Sequence, residues 1–103
     1  MKTISSQRYI DQNTVSEKRE ANDYTVLVSP TFSYDGDVYR VIIDGHHSLA
    51  AANESGAEAN YVEANEQDCD YIGLINSGDI EGFLSAAHLG DDYYDVNTGH
   101  FVW

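Results

Sequence analysis

One run of six residues constrains the fold of this chain most: Val38-Tyr39-Arg40-Val41-Ile42-Ile43. β-Branched and aromatic residues are typical of strands, and the run ends in three aliphatic residues without polar alternation. A strand with this pattern is buried on both faces, which predicts a position in the centre of a sheet. The preceding Tyr34-Asp35-Gly36-Asp37 predicts a tight hairpin turn, because Asp-Gly tolerates the positive φ angles that such turns need.

Three further elements flank this central strand. Tyr24-Thr25-Val26-Leu27-Val28 predicts a strand, which Pro30 ends or limits to a sheet edge. A helix is predicted from Ser48, a plausible N-cap, through three alanines to Ser55, with Gly56 as its stop. Asn60-Tyr61-Val62-Glu63-Ala64 predicts another short strand.

The remaining segments carry helical or turn patterns. Asn65 is predicted to cap a helix that runs up to Ser77-Gly78, and Asp79 to cap the next one. In that second helix the apolar residues follow helical spacing at Ile80, Phe83, Leu84 and Ala87. The chain closes in a predicted hairpin, or a tail that Trp103 fixes.

Residues 1–23 carry the least decisive pattern, with a short edge strand predicted between Thr3 and Ile10 and loop or a weak helical turn after it. The whole chain of 103 residues has the length of one domain. We therefore predict a single domain over residues 1–103, of the α+β class, with a small mixed β-sheet and short helices.

The charge of the chain is strongly negative and unevenly distributed. Eighteen acidic and five basic residues give a net charge of −13, and no lysine or arginine follows Arg40. Binding to nucleic acids depends on Lys and Arg side chains that displace counterions from phosphates, so no direct contact with DNA or RNA is expected. Attraction to an anionic membrane surface is excluded on the same ground.

Cys69 is the only cysteine, so the chain cannot form an internal disulfide. This composition fits a reducing compartment. The N-terminal residues lack the apolar stretch of a secretory signal, and no apolar run approaches the length of a membrane span. A cytoplasmic protein is therefore expected, with Cys69 packed in the core beside Ile72.

The segment Val41-Ile42-Ile43-Asp44-Gly45-His46-His47-Ser48-Leu49-Ala50-Ala51-Ala52 resembles the signature of the ParB/sulfiredoxin-like superfamily, in which a strand ends in Asp-Gly-His-His-Arg before an alanine-rich helix. The resemblance implies a small α+β fold with a mixed sheet. Members include partition proteins that bind CTP, sulfiredoxins that use ATP and a free-serine kinase. In them the loop into the helix lies near nucleotide phosphates.

The resemblance and the local chemistry predict a ligand-binding loop formed by Asp44, Gly45, His46, His47 and Ser48. The glycine permits close approach of an anion, and the first N–H groups of a helix are free to bind one. Either histidine can add a hydrogen bond or, when protonated, a positive charge. The expected ligand is a nucleotide or another phosphorylated molecule, with a divalent ion that Asp44 can help to hold.

This sequence departs from the family pattern at several points. Ser48 replaces the family's arginine, which removes a bidentate phosphate partner, and Arg40 is the nearest cation in sequence. The loop lacks the sulfiredoxin cysteine, and no DNA-reading helical domain is expected. We therefore predict a binding protein rather than an enzyme, with no catalytic residue and no metal site assigned.

The acidic residues support an alternative function. Twelve of them follow Arg40 without a counter-charge, and such density destabilises a fold through self-repulsion. This surface is typical of phage or mobile-element inhibitors that mimic DNA, such as anti-CRISPR and antirestriction proteins, or of antitoxin and immunity proteins. The partner would be a basic protein. The predicted interaction surface comprises Glu63, Glu66, Asp68, Asp70, Asp91, Asp92 and Asp95, with Asp79 and Glu81 as an extension.

Overall fold

A mixed sheet of six strands lies at the centre of the computed structural model, which describes residues 1–103. The strands are β1 (Lys2–Ser5), β2 (Thr25–Val28), β3 (Phe32–Tyr34), β4 (Asp37–Asp44), β5 (Asn60–Glu63) and β6 (Tyr94–Asp95). Their order is β5-β2-β4-β1-β6, and β3 pairs with β4. β1–β4 and β2–β5 are parallel and the other pairs are antiparallel. The four helices are α1 (Gln12–Glu20), α2 (His46–Ser55), α3 (Ile72–Asn76) and α4 (Ile80–Ala86). The α+β class with a small mixed sheet is confirmed.

β4 is the central strand, as its apolar pattern predicts. It pairs with β1, β2 and β3, so backbone partners surround it on both sides. Tyr39 and Val41 belong to the larger core cluster, whereas Ile42 belongs to a second, smaller one. Successive side chains of a strand point to opposite faces of the sheet. Consecutive apolar residues of β4 therefore fill the cores on both faces.

Two helix layers cover the two faces of the sheet. α3 and α4 contribute Ile72 and Phe83 to the larger core cluster, together with Val41 of β4. α2 packs on the opposite face, where Leu49 contacts the smaller cluster around Val26 and Ile42. α1 packs against α2 on that side.

The predicted hairpin joins β3 to β4. Asp35 and Gly36 both have positive φ, at 50° and 85°, which is the geometry of a two-residue turn that matches strand twist. Tyr34 pairs with Asp37 across it. The hairpin prediction is confirmed.

The N-terminal segment differs from its prediction in two ways. β1 ends at Ser5 and lies between β4 and β6, so it is not an edge strand. α1 occupies a stretch predicted as loop or a weak turn, and Asp11 caps it by accepting a hydrogen bond from the Asn13 backbone N–H at 3.0 Å. Val15 is the only buried residue of α1, which is why the sequence shows no helical periodicity there.

Two helix starts also differ from their predictions. α2 begins at His46 with Gly45 at the cap position, so Ser48 lies inside the helix and does not cap it. α3 begins only at Ile72. The Asn65 side chain instead closes a separate turn, in which it accepts the backbone N–H groups of Gln67 and Asp68.

Other predictions at element ends are confirmed. Gly56 ends α2, and Pro30 follows the end of β2, which lies inside the sheet. Asp79 caps α4 by accepting the Gly82 backbone N–H at 3.0 Å.

The C-terminal segment forms a minimal hairpin in which Tyr94 of β6 pairs with Phe101. No helix has the length and apolar character needed to cross a bilayer.

Candidate functional site

Gly45 positions the candidate loop against the sheet. Its φ is +102°, and a Cβ atom there would lie 2.7 Å from the carbonyl oxygen of Thr25 and 2.9 Å from Cα of Val26. Only glycine tolerates both the backbone conformation and the close approach. The start of α2 is thereby held directly beside β2.

His46 points into the protein and contacts the end of β1. It is 8% exposed, and its Nε2 lies 2.5 Å from Oγ of Ser5. Ser5 Oγ also accepts the Gln7 backbone N–H, so its own proton is free to donate to a neutral imidazole. Burial lowers the pKa of His46 and the neighbouring His47 lowers it further, while Asp44 opposes the shift. His46 therefore ties α2 to β1 in its neutral form.

His47 contacts the residue before α1 instead of β1. Its Nε2 accepts the backbone N–H of Asp11 at 3.1 Å, which joins the start of α1 to the start of α2. Asp44, the last residue of β4, has an exposed carboxylate that accepts the backbone N–H of Gly45 at 2.8 Å. No group of three or more His, Cys, Asp or Glu side chains is arranged to hold a metal ion.

A cavity of about 250 Å³ opens beside the start of α2. The first backbone hydrogen bond reaching back from α2 runs from Leu49 N–H to Gly45 C=O, so the N–H groups of His46, His47 and Ser48 precede the helical ladder. The lining residues come from α1, β2, the loop and α2: Lys18, Asp23, Thr25, Leu27, Asp44, Gly45, His47 and Ser48.

Ser48 is the most deeply buried polar residue that lines this cavity. The residue is 2% exposed, and its side chain is among the fully buried ones. No fully buried side-chain N or O atom of the protein lacks a hydrogen-bond partner. Ser48 therefore lines the cavity as a nearly buried polar residue.

Lys18 is the cation of the cavity, and sequence reasoning missed it. Its Nζ lies 3.0 Å from a carboxylate oxygen of Asp23, and this bond is the first cause of the lowered pKa of Asp23. Arg40, the nearest cation in sequence, instead stacks on Tyr61 at 4.1 Å and donates from Nε to Oγ1 of Thr3. No local signal could have revealed Lys18, because only the packing of α1 on α2 brings it to the loop.

The seven predicted acidic residues fall into two groups. Glu63 ends β5 and is followed by Glu66, Asp68 and Asp70, whereas Asp95 lies on β6 at the opposite edge of the sheet. Asp91 and Asp92 belong with Asp95, since the Asp91 backbone N–H bonds to the carbonyl of Ser6 after β1. The sheet thus separates the seven carboxylates into a β5 group (Glu63, Glu66, Asp68 and Asp70) and a β6 group (Asp91, Asp92 and Asp95).

Three of these seven carboxylates have local hydrogen-bond partners. Glu66 accepts from the amide of Asn76, Asp68 from the backbone N–H of Asn65, and Asp95 from that of Asn97. The other four are exposed and form no hydrogen bond within the chain: Glu63, Asp70, Asp91 and Asp92.

None of the five cations of the chain pairs with an acidic residue of the β5 group or the β6 group. Lys2, Lys18 and Arg19 pair with Asp37, Asp23 and Glu54. Arg8 stacks on Tyr94 and Phe101, and Arg40 on Tyr61. No carboxylate after residue 54 therefore has an ion-pair partner within the chain.

No family model, curated protein or solved structure matches this chain. The resemblance to the ParB/sulfiredoxin-like superfamily therefore stays a prediction.

Proposed function

We propose that the protein binds a small phosphorylated ligand in the cavity at the start of α2. One observation carries the proposal: the nearly buried Ser48 and the cation Lys18 line one cavity beside the N–H groups at the start of α2. A hydroxyl in such a position donates well to a phosphate oxygen. The adjoining N–H groups of α2 supply further donors, and the helix dipole favours an anion there.

The charge of the cavity limits the ligand it can accept. Lys18 supplies one positive charge, whereas Asp23 and Asp44 supply two negative ones. A phosphate must therefore compete with Asp23 for the ammonium group, or bind with a divalent ion that offsets the carboxylates. Asp44 is the carboxylate free to contact such an ion.

The size of the cavity favours a single phosphoryl group. Pockets that enclose a whole drug-sized ligand have volumes of roughly 300–1,000 Å³, above the 250 Å³ found here. A nucleotide would place one phosphate in the cavity and leave its base outside. The resemblance of Val41–Ala52 to the ParB/sulfiredoxin-like superfamily supports the same location for the phosphate.

Calorimetric titration with inorganic phosphate, ATP, CTP, ADP and CDP tests this function, with each compound added in the presence and in the absence of magnesium. Ser48→Ala should weaken binding about tenfold or more, because it removes one hydrogen bond to a charged group. Lys18→Gln should weaken binding and Asp23→Asn should tighten it, since the second change frees the ammonium group. Saturable heat from none of these compounds would refute the proposal.

Lys2→Gln is the matched control for Lys18→Gln. It removes the same charge from another exposed ion pair, that of Lys2 with Asp37. We expect it to leave affinity within about twofold of the original. Equal weakening by both variants would mean that only net charge matters and that the cavity is not the site.

The unpaired carboxylates favour a second candidate function, the binding of a basic protein surface. Its supporting observation is that no carboxylate after residue 54 has an ion-pair partner, including the four exposed ones without local hydrogen bonds. Such a surface attracts basic partners over long range and in a salt-dependent manner. An inhibitor that competes with nucleic acid for a basic site would use it.

Two double variants with equal charge change test this candidate in a pull-down from host lysate. Glu63→Gln with Asp70→Asn neutralises the β5 group, and Asp91→Asn with Asp92→Asn neutralises the β6 group. A true interface should lose its partner in one double variant and keep it in the other, and lose it at high salt. Two results would argue against a defined acidic interface: capture of the partner that is equally strong at high salt, or an equal loss of the partner in both double variants.

A further inference from the structure

A second cavity lies between α4 and the C-terminal hairpin, away from the loop before α2. Its volume is about 420 Å³, within the range of small-molecule sites. It is lined by Leu84, Ser85, His88, Asp92, Tyr93 and Trp103. Neither function proposed above uses its aromatic side chains.

The aromatic wall of this cavity is fixed by packing. The ring centroid of Trp103 lies 5.2 Å from that of Tyr34, 5.1 Å from that of Tyr39 and 5.8 Å from that of Tyr93. Tyr93 is buried, and its hydroxyl donates to the carbonyl of Leu84 at 2.6 Å. Trp103 nevertheless remains 46% exposed, so part of this packed residue is open to a ligand.

Elsewhere in the chain, two arginines already stack on aromatic rings. The guanidinium of Arg8 lies 4.0 Å from the ring centroid of Tyr94 and 5.0 Å from that of Phe101, in the same hairpin. Arg40 covers Tyr61 in the same manner. Trp103 has the ring type that binds cations best, yet none of the chain's cations lies over it.

The cavity also contains an unpaired negative charge. Asp92 is exposed and forms neither an ion pair nor a hydrogen bond within the chain. A carboxylate beside the exposed Trp103 residue repels anions and attracts positively charged head groups. Aromatic faces and a carboxylate together are a typical site for alkylammonium and guanidinium groups.

We propose that this cavity binds an organic cation, with the guanidinium or alkylammonium head group held between the Trp103 ring and the carboxylate of Asp92. The site lies apart from the start of α2, so it does not rest on phosphate binding there. Small organic cations and the side chains of a partner protein share this head-group chemistry.

Trp103 provides a direct probe, because it is the only tryptophan of the chain. The intact protein is titrated with tetramethylammonium and with N-acetyl-arginine amide. Neopentyl alcohol (2,2-dimethylpropan-1-ol) serves as a neutral compound similar in shape to tetramethylammonium. We expect a saturable change in Trp103 fluorescence with at least one of the cations and none with the alcohol. A tighter response to the arginine derivative would assign the site to protein side chains, and a tighter response to tetramethylammonium to free quaternary cations.

Asp92→Asn and Asp91→Asn form a matched pair of variants. Both remove one negative charge from adjacent exposed residues, but only Asp92 lines the cavity. Asp92→Asn should weaken cation binding about fivefold, and Asp91→Asn should leave it within about twofold. Equal weakening by the two variants, an equal response to the neutral alcohol, or no saturable response to either cation would overturn the proposal.

Discussion

Oγ of Ser5 lies 2.5 Å from Nε2 of His46, so the last residue of β1 is hydrogen-bonded to the first residue of α2 across 41 positions of sequence. Both residues are buried. β1 also pairs with β4, the strand that leads into the same loop. The loop between β4 and α2 is therefore anchored by the sheet at one end and by this hydrogen bond at the other.

Acidification should destabilise the protein through His46. Burial lowers the folded-state pKa of His46 below the ordinary value of 6.5. The unfolded chain therefore binds the proton first, and the free energy of unfolding falls as pH drops below about 6.5 until the folded-state pKa is reached. Urea unfolding at pH ~7.5 and pH ~5.5 measures this loss.

Two histidine variants separate this effect from the titration of the carboxylates. His46→Gln keeps a polar side chain but removes the titrating group, so its loss on acidification should be smaller than that of the original protein. His88→Gln, which replaces an exposed histidine, is the control for the substitution itself. An unchanged pH dependence in His46→Gln would exclude His46 as the cause.

Gly45→Ala should destabilise the protein by about 3 kcal/mol, because it combines backbone strain at positive φ with overlap against the backbone of β2. Gly36→Ala is the matched control, since Gly36 also has positive φ but has no atom within 4 Å of the added Cβ. That change should cost only about 1 kcal/mol. Equal losses in urea unfolding would show that the contact with β2 carries no energetic weight.

The sequence predicts the elements whose residues are locally distinctive. β4 is recognisable from its unbroken aliphatic end, the β3–β4 turn from Asp35-Gly36, and α4 from its apolar spacing after Asp79. Each of these patterns reports burial or a backbone conformation that neighbouring residues determine. The structure bears out all three.

The features that the sequence misses depend on contacts between distant segments. α1 buries only Val15, so it leaves no periodic pattern to detect. The placement of β1 inside the sheet follows from its pairing with β4, and that of Lys18 from the packing of α1 on α2. The candidate loop could thus be located from sequence, whereas the residues that complete its cavity could not.

Replacement of Phe83 by leucine should test the larger core. Phe83 is fully buried and packs its ring 5.6 Å from that of Phe32 and 5.7 Å from that of Tyr71. Phe83→Leu should lower the free energy of unfolding by about 1–2 kcal/mol, because lost contacts and a small cavity replace the ring. Leu89→Ala, at an exposed position after α4, should change it by less than about 0.5 kcal/mol. A cost for Phe83→Leu no larger than that of the exposed control would contradict the assigned core.

Salt should stabilise this protein. Three of the eighteen acidic residues form ion pairs, which leaves fifteen without one. Their mutual repulsion opposes the compact state, and raising NaCl from ~0.01 M to ~0.1 M shortens the screening length from about 30 Å to about 10 Å. The midpoint of thermal unfolding should therefore rise with salt. The rise should be smaller in the Glu63→Gln, Asp70→Asn double variant, because it carries two fewer negative charges. A midpoint that falls with salt would mean that the three surface ion pairs outweigh the repulsion among the unpaired carboxylates.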